Sequence, residues 1–186
     1  ADPLFTVSYT GVNGGLAIFV ADDPGMHSSQ NEQDTRIMAR AAKIPVIEPS
    51  DSKECRDFTK EAFKISEEFD TPVIVRLTTR ISHSQGIVEL EERENYELKP
   101  YVKNPAKYVM MPAMAKKRHV SVEERMARLK EYSENSPLNK IEWGDKKIGV
   151  ITAGICYQYA REAFGDASYL NLGMVYPLPE KLIGKF

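Results

Sequence analysis

At 186 residues, with 42% hydrophobic and 28% charged positions, the chain has room for one domain, or one domain and part of a second, and the composition of an ordinary globular protein. A net charge of -2 offers no basic footprint for nucleic acid; no apolar run is long enough to cross a membrane and no leader pattern opens the sequence, so neither nucleic acid nor membrane is an expected partner and a cytoplasmic location is expected. The two cysteines, Cys55 and Cys156, lie far apart and outside any C-x-x-C spacing, which points to packed thiols rather than a disulfide framework or a metal site.

In chain order, residues 1–13 read as a loop or a short helical remnant. Gly11, Gly14 and Gly15 lead into the first apolar run instead of following it, so they are not a dinucleotide fingerprint. That run, Gly15 to Val20, is continuous, as in a strand buried on both faces. It enters a polar loop spanning Ala21 to Arg36, and the weakly helical stretch DTRIMARAAK comes next. Ile44 to Ile47 reads as a second strand, closed by Glu48-Pro49-Ser50-Asp51. Asp51 with Glu54 resembles a capping box, and Cys55, Phe58, Ala62, Ile65 and Phe69 recur at spacings of three and four, which puts them on one face of a helix. Thr71 to Leu77 is a third strand. Strand, helix and strand in about thirty residues make a βαβ unit with a right-handed crossover. Three loops, 22–31, 48–51 and 78–86, then share the carboxyl edge of one parallel sheet, where such folds bind ligands. His27 and His83 sit on neighbouring loops of that edge, but without clustered ligand spacing no metal ligand is assigned.

Beyond Gly86 the character changes. Glu89 to Glu94 is a charge run expected to be solvated. Ser121 and Glu124 carry a capping-box signature that predicts a helix starting there, with Val122, Met126 and Leu129 as its apolar stripe; residues 133–144 break the pattern. From Lys147 a new α/β start is expected: Ile148–Thr152 as strand, Ala153-Gly154 as turn, Ile155–Phe164 as helix, Ser168–Leu172 as strand, and Pro177 to Glu180 opening a helix. The turn at Gly154 could present backbone N–H groups to a phosphate, a weak signal from one glycine.

The polar loop has a bland reading, Asp-Pro-Gly turn chemistry followed by a solvated helix cap. Yet VADDPGMHSSQNEQDTR, with IPVIEPSD and TPVIVRLTTRISHS downstream, resembles the alpha subunits of the indolepyruvate ferredoxin oxidoreductases, thiamine-diphosphate enzymes of the 2-oxoacid oxidoreductase family. The resemblance covers most of the chain and is densest from Gly14 to Gly86. It implies an α/β fold: a parallel-sheet, pyrimidine-domain-like thiamine-diphosphate-binding region, of which residues 1–86 are the later part, a helical and charged connector over 87–145, and the start of a transketolase-C-terminal-like α/β domain over 146–186. It also implies oxidative decarboxylation of aryl 2-oxoacids such as indolepyruvate to acyl-coenzyme A, with ferredoxin as electron acceptor, in amino-acid catabolism. Partners implied are the 2-oxoacid, coenzyme A, ferredoxin, a second (beta) subunit and a further copy of the chain. On this resemblance His27 is the catalytic candidate facing the reacting carbon, an imidazole being able to give and take a proton near neutrality. Asp22, Ser28, Ser29, Gln30 and Asn31 are the cofactor-side candidates, and Arg80 and His83 lie near the substrate. The family's ring-binding glutamate is expected upstream of Ala1. The Gly-Asp-Gly motif for magnesium and diphosphate and the cysteine spacing of iron–sulfur clusters are absent from these residues. The chain therefore reads as an internal fragment of a larger subunit, inactive alone. The rival reading is a non-catalytic interaction or assembly module that keeps the fold only.

Overall fold

The computed structural model describes residues 2–186. Its first half runs α1 (Asp2–Thr10), β1 (Ala17–Asp22), α2 (Thr35–Ala42), β2 (Val46–Ile47), α3 (Ser52–Phe69), β3 (Val73–Thr78) and the short α4 (Thr79–His83). After a long segment without regular structure come α5 (Pro105–Tyr108), α6 (Pro112–Asn135), β4 (Asn139–Glu142), β5 (Asp145–Thr152), α7 (Ile155–Phe164), β6 (Ala167–Leu172), β7 (Met174–Tyr176) and α8 (Glu180–Lys185). The architecture is α/β with a parallel sheet, as the sequence implies. No described helix is long and apolar enough to cross a membrane.

Helix α3 forms where the pattern places it. The Asp51 side chain accepts from the backbone N–H of Glu54 at 2.7 Å, filling one of the donors that a helix start leaves open. Phe58, Ala62, Ile65 and Phe69 are buried along its inner face. They meet Val73, Val75 and Ile47 of the sheet and Leu129 of α6 in one apolar cluster, where each large side chain contributes about 1.5–3 kcal/mol. On the other face of the sheet Ala39, Ala42 and Ile44 pack against Val46 and Ile74. Strand β3, clad on both sides, is the buried centre.

The first sheet has the order β1-β3-β2-β7. Strands β1 and β2 both run parallel to β3, so β1, β2 and β3 end at one edge, whereas β7 joins β2 antiparallel. The second sheet, β4-β6-β5, pairs β5 parallel and β4 antiparallel to β6. Its β5-α7-β6 unit brings the turn before α7 over the end of β2, where a Cβ on Gly154 would lie 2.7 Å from Glu48 Oε1. Gly154 also has φ +54°, so side-chain bulk and backbone conformation both require glycine there.

Several expectations are corrected. Strand β1 is not buried on both faces: it is the sheet's edge, and Phe19 is half exposed. The helix expected to start at Ser121 begins at Pro112, a residue that suits the first turn because its missing N–H would have no partner there anyway; Val122 and Leu129 are its buried stripe. The loop expected over 78–86 is wound into α4 up to His83. Strand β4 falls inside the stretch read as irregular, and β7 is a further strand that periodicity does not reveal.

Candidate functional site

Asp22 closes β1 and Asp23 follows it into the loop, and the two side chains take different tasks. Asp22 points into the sheet. Its Oδ2 accepts from Arg76 Nε at 2.5 Å and from the backbone N–H of Thr35 at 2.7 Å, and its Oδ1 accepts from Thr35 Oγ1 at 2.6 Å. Arg76, on β3, donates through Nη1 to Glu48 Oε1 at 2.7 Å. All three side chains are buried, so three parallel strand ends are tied together by one guanidinium between two carboxylates. Such an arrangement is tolerable inside a protein only because the charges are paired and hydrogen-bonded. Burial pushes the Glu48 carboxyl above its usual range, against the pull of Arg76 and Arg36. Glu48 Oε2 has no partner among the described residues.

Asp23 organises the loop. Its carboxylate accepts from the backbone N–H groups of His27, Ser28 and Ser29 at 3.0, 2.7 and 2.6 Å, and from Thr79 Oγ1 at 2.5 Å. Those donors, with Thr79 the strongest influence, hold its carboxyl well below the ordinary range. Between Asp23 and this nest the chain turns through Pro24 and Gly25 (φ +80°), closed by the Met26 N–H donating to the Asp23 carbonyl. This is the proline-then-glycine pattern of a type II turn.

The result is a cavity of about 600 Å³ at the carboxyl edge, walled by the β1 loop, the end of β3 with α4, and the first turns of α7. His27, Arg36 and Arg80 bring polar groups to it, while Pro24, Ile155 and Tyr159 bring apolar surface. Its cations differ in availability. Arg76 is consumed by Asp22 and Glu48, and Arg36 is forked onto Asp34 through Nε and Nη2 at 2.9 and 2.8 Å. Arg80 is exposed and, among the described residues, has no carboxylate partner. An exposed imidazole, an uncommitted guanidinium and a flat apolar wall suit a small organic anion with a bulky apolar substituent.

Of the residues singled out in the sequence, His27 and Arg80 line the cavity. Asp22 lies beneath it, saturated by Thr35 and Arg76. Ser28 and Ser29 are turned to Asp23 through their N–H groups. Gln30 and Asn31 are exposed on the loop, and His83 is exposed at the end of α4, away from the cavity wall. Cys156 is not the packed thiol expected: it is exposed on the first turn of α7, facing the cavity. Sequence reasoning singles out neither Arg76 nor Tyr159, and it reaches Glu48 only as part of one of the three loops on this edge.

Comparison with known proteins adds an independent line. Residues 21–144 match the family model described as pyruvate flavodoxin/ferredoxin oxidoreductase, thiamine-diphosphate-binding. The whole chain aligns with the indolepyruvate oxidoreductase subunit IorA of Pyrococcus abyssi at 45% identity, of Archaeoglobus fulgidus at 40% and of Methanothermobacter marburgensis at 39%. The chain spans 30 to 31% of the length of these relatives. Among solved structures, a 2-oxoglutarate:ferredoxin oxidoreductase from Magnetococcus marinus, with 2-oxoglutarate, coenzyme A and succinyl-CoA bound, superposes with a TM-score of 0.64 over 99% of this chain and 41% of that one. At 12% identity this likeness concerns the fold.

Proposed function

Because the chain belongs to the thiamine-diphosphate-binding family of pyruvate flavodoxin/ferredoxin oxidoreductases, we propose that it is the part of a 2-oxoacid oxidoreductase that holds the 2-oxoacid, with indolepyruvate and other aryl 2-oxoacids as substrates. The observation that carries this reading is the cavity itself, where His27 and the uncommitted Arg80 stand beside the apolar wall of Ile155 and Tyr159. In the proposed arrangement Arg80 pairs with the substrate carboxylate, His27 donates a hydrogen bond to the keto oxygen, and the wall takes the aryl group. The Asp23 nest fixes the backbone under His27 so that little reorganisation is left for the reaction.

When bound, thiamine diphosphate supplies a nucleophilic carbon and an electron sink. The residues present fit its organic part: Glu48 Oε2, buried and without a partner, is an acceptor suited to a ring amine. They do not fit its magnesium diphosphate, since no group of three metal-binding side chains occurs among the described residues. Magnesium, iron–sulfur clusters, coenzyme A, ferredoxin and a second subunit belong, on this proposal, to the whole cytoplasmic enzyme, and the chain alone is inactive. We also propose a division of the chain into residues 1–86, 87–145 and 146–186, and cofactor contacts for Ser28, Ser29, Gln30 and Asn31.

Arg80 offers the test. In the assembled enzyme, Arg80→Met is expected to raise the KM for indolepyruvate roughly ten- to hundredfold, the scale of one charge-assisted hydrogen bond at about 1.5–3 kcal/mol, with a smaller change in kcat. Arg80→Lys should recover part of the loss. A KM within twofold of wild type in the Met variant would remove Arg80 from the site.

A further inference from the structure

The proposed arrangement leaves one reactive group of the cavity unused. Cys156 is a free, exposed thiol on the first turn of α7 and lines the same wall as Ile155 and Tyr159. An exposed thiol alone signifies little, but the space in front of this one is built for an occupant. Glu48 Oε2 and Thr78 Oγ1 are buried and have no hydrogen-bond partner among the described residues, and both residues line the cavity. Buried polar atoms are nearly always paired, so two orphans in one wall mark a place that a polar molecule fills. The turn that carries Cys156 is pressed against one of them: a Cβ on Gly154 would lie 2.7 Å from Glu48 Oε1 and 3.1 Å from its carboxyl carbon.

Charge selects the occupant. The lining carries the guanidinium groups of Arg36, Arg76 and Arg80 against the single carboxylate of Glu48, and Arg80 has no carboxylate partner among the described residues. The second cysteine selects the reaction. Cys55, the other thiol of the chain, is half-buried on α3 and outside the cavity lining, and burial raises its pKa. No thiol of the chain therefore stands by to resolve an oxidised Cys156, and a disulfide at this sulfur must take its second sulfur from outside. We infer that Cys156 is a modification site, at which an anionic low-molecular-weight disulfide forms a mixed disulfide and closes the cavity to substrate. The Cys156 thiol gives its proton to solvent and its sulfur attacks one sulfur of the small disulfide. The old S–S bond breaks as the new one forms, and the departing thiolate takes up a proton. Cys156 is thereby oxidised and the leaving half reduced, with no other reactant. The anionic end of the retained half meets Arg80, and its carbon chain lies along Ile155 and Tyr159. An incoming thiol reverses the step by the same exchange. For its effect on turnover the inference rests on this cavity being the 2-oxoacid site; the modification itself does not.

Dithiodipropionate and cystamine are disulfides of similar length and opposite charge. In the assembled enzyme, without coenzyme A, peptide mass spectrometry can follow the rate at which each adds to Cys156, relative to its rate with an unstructured cysteine peptide. Dithiodipropionate should be favoured over cystamine about tenfold or more, within the range for entry of a counter-ion into a charged cleft. Cys55 should show no such preference, and Arg80→Met should remove most of it at Cys156. Turnover of indolepyruvate should fall in proportion to the fraction of Cys156 modified and return with dithiothreitol, while Cys156→Ser should keep its own starting activity through the same treatment. Equal relative rates for the two disulfides at Cys156 overturn the inference, as does a loss of activity that Cys156→Ser also suffers. A fully modified Cys156 with normal turnover overturns it too, and the KM of Arg80→Met then separates the two readings: a raised KM strikes the modification site alone, and an unchanged one strikes the substrate site as well.

Discussion

Replacing Arg76 with Met is expected to destabilise the fold by about 3–5 kcal/mol, the usual consequence of removing one partner of a buried charge cluster. The substitution conserves much of the side-chain volume, so the loss is electrostatic. It leaves Asp22 and Glu48 buried without their shared cation. The effect carries a pH signature whose sign follows from Glu48. Burial already raises its carboxyl in the fold above the ordinary 4.5, so the folded state binds that proton more tightly than the unfolded chain. A group of this kind favours folding below its unfolded pKa, and that contribution is lost as pH rises through the folded value. Without Arg76 the folded value rises further. The gap between wild type and variant should therefore shrink as pH falls from 7.5 toward 5. Urea unfolding at several pH values measures it. A gap under about 1 kcal/mol, or one that grows in acid, would mean that the guanidinium is not what holds the strand ends. The triple substitution Arg76→Met/Asp22→Asn/Glu48→Gln should regain much of the loss, because it removes the charges together.

His27→Ala, made in the assembled enzyme, is expected to lower turnover of indolepyruvate about a hundredfold, at the low end of the range for losing a positioned acid–base group. The structure makes this substitution unusually clean. His27 is exposed, and its tie to Asp23 runs through the backbone N–H, which alanine keeps. The loop should hold its shape, with melting temperature and cofactor content unchanged. A loss below about threefold, under roughly 0.7 kcal/mol of barrier, would take His27 out of the chemistry and leave Arg80 and Tyr159 as the cavity's remaining contributors.

How much of this was legible in the sequence depended on how local each signal is. The cap at Asp51 and the stripe from Phe58 to Phe69 are complete within eighteen residues of helix, and both could be read directly. The capping box at Ser121 is equally local but misleads, because a helix already running from Pro112 has no start to make there. The two aspartates could not be told apart, since which one points into the sheet depends on where β1 ends. Arg76 looked like an ordinary strand residue. Its meaning comes from Asp22 and Glu48, carried on two other strands that are its neighbours only once the sheet order is known. Cys156 and Tyr159 reach the cavity only because the β5-α7-β6 unit settles over β2, a long-range placement that periodicity does not report.

That convergence also supplies the most direct test of the central claim, that this cavity holds the 2-oxoacid. Cys156 is exposed on the cavity wall, whereas Cys55 is half-buried on α3 with a thiol whose pKa burial raises, so one thiol reports the site and the other serves as its control. In the assembled enzyme, without coenzyme A, the rate of iodoacetamide alkylation at each cysteine can be followed by peptide mass spectrometry. Saturating indolepyruvate should slow Cys156 about tenfold or more and leave Cys55 unchanged; equal rates at Cys156 with and without indolepyruvate would contradict the account.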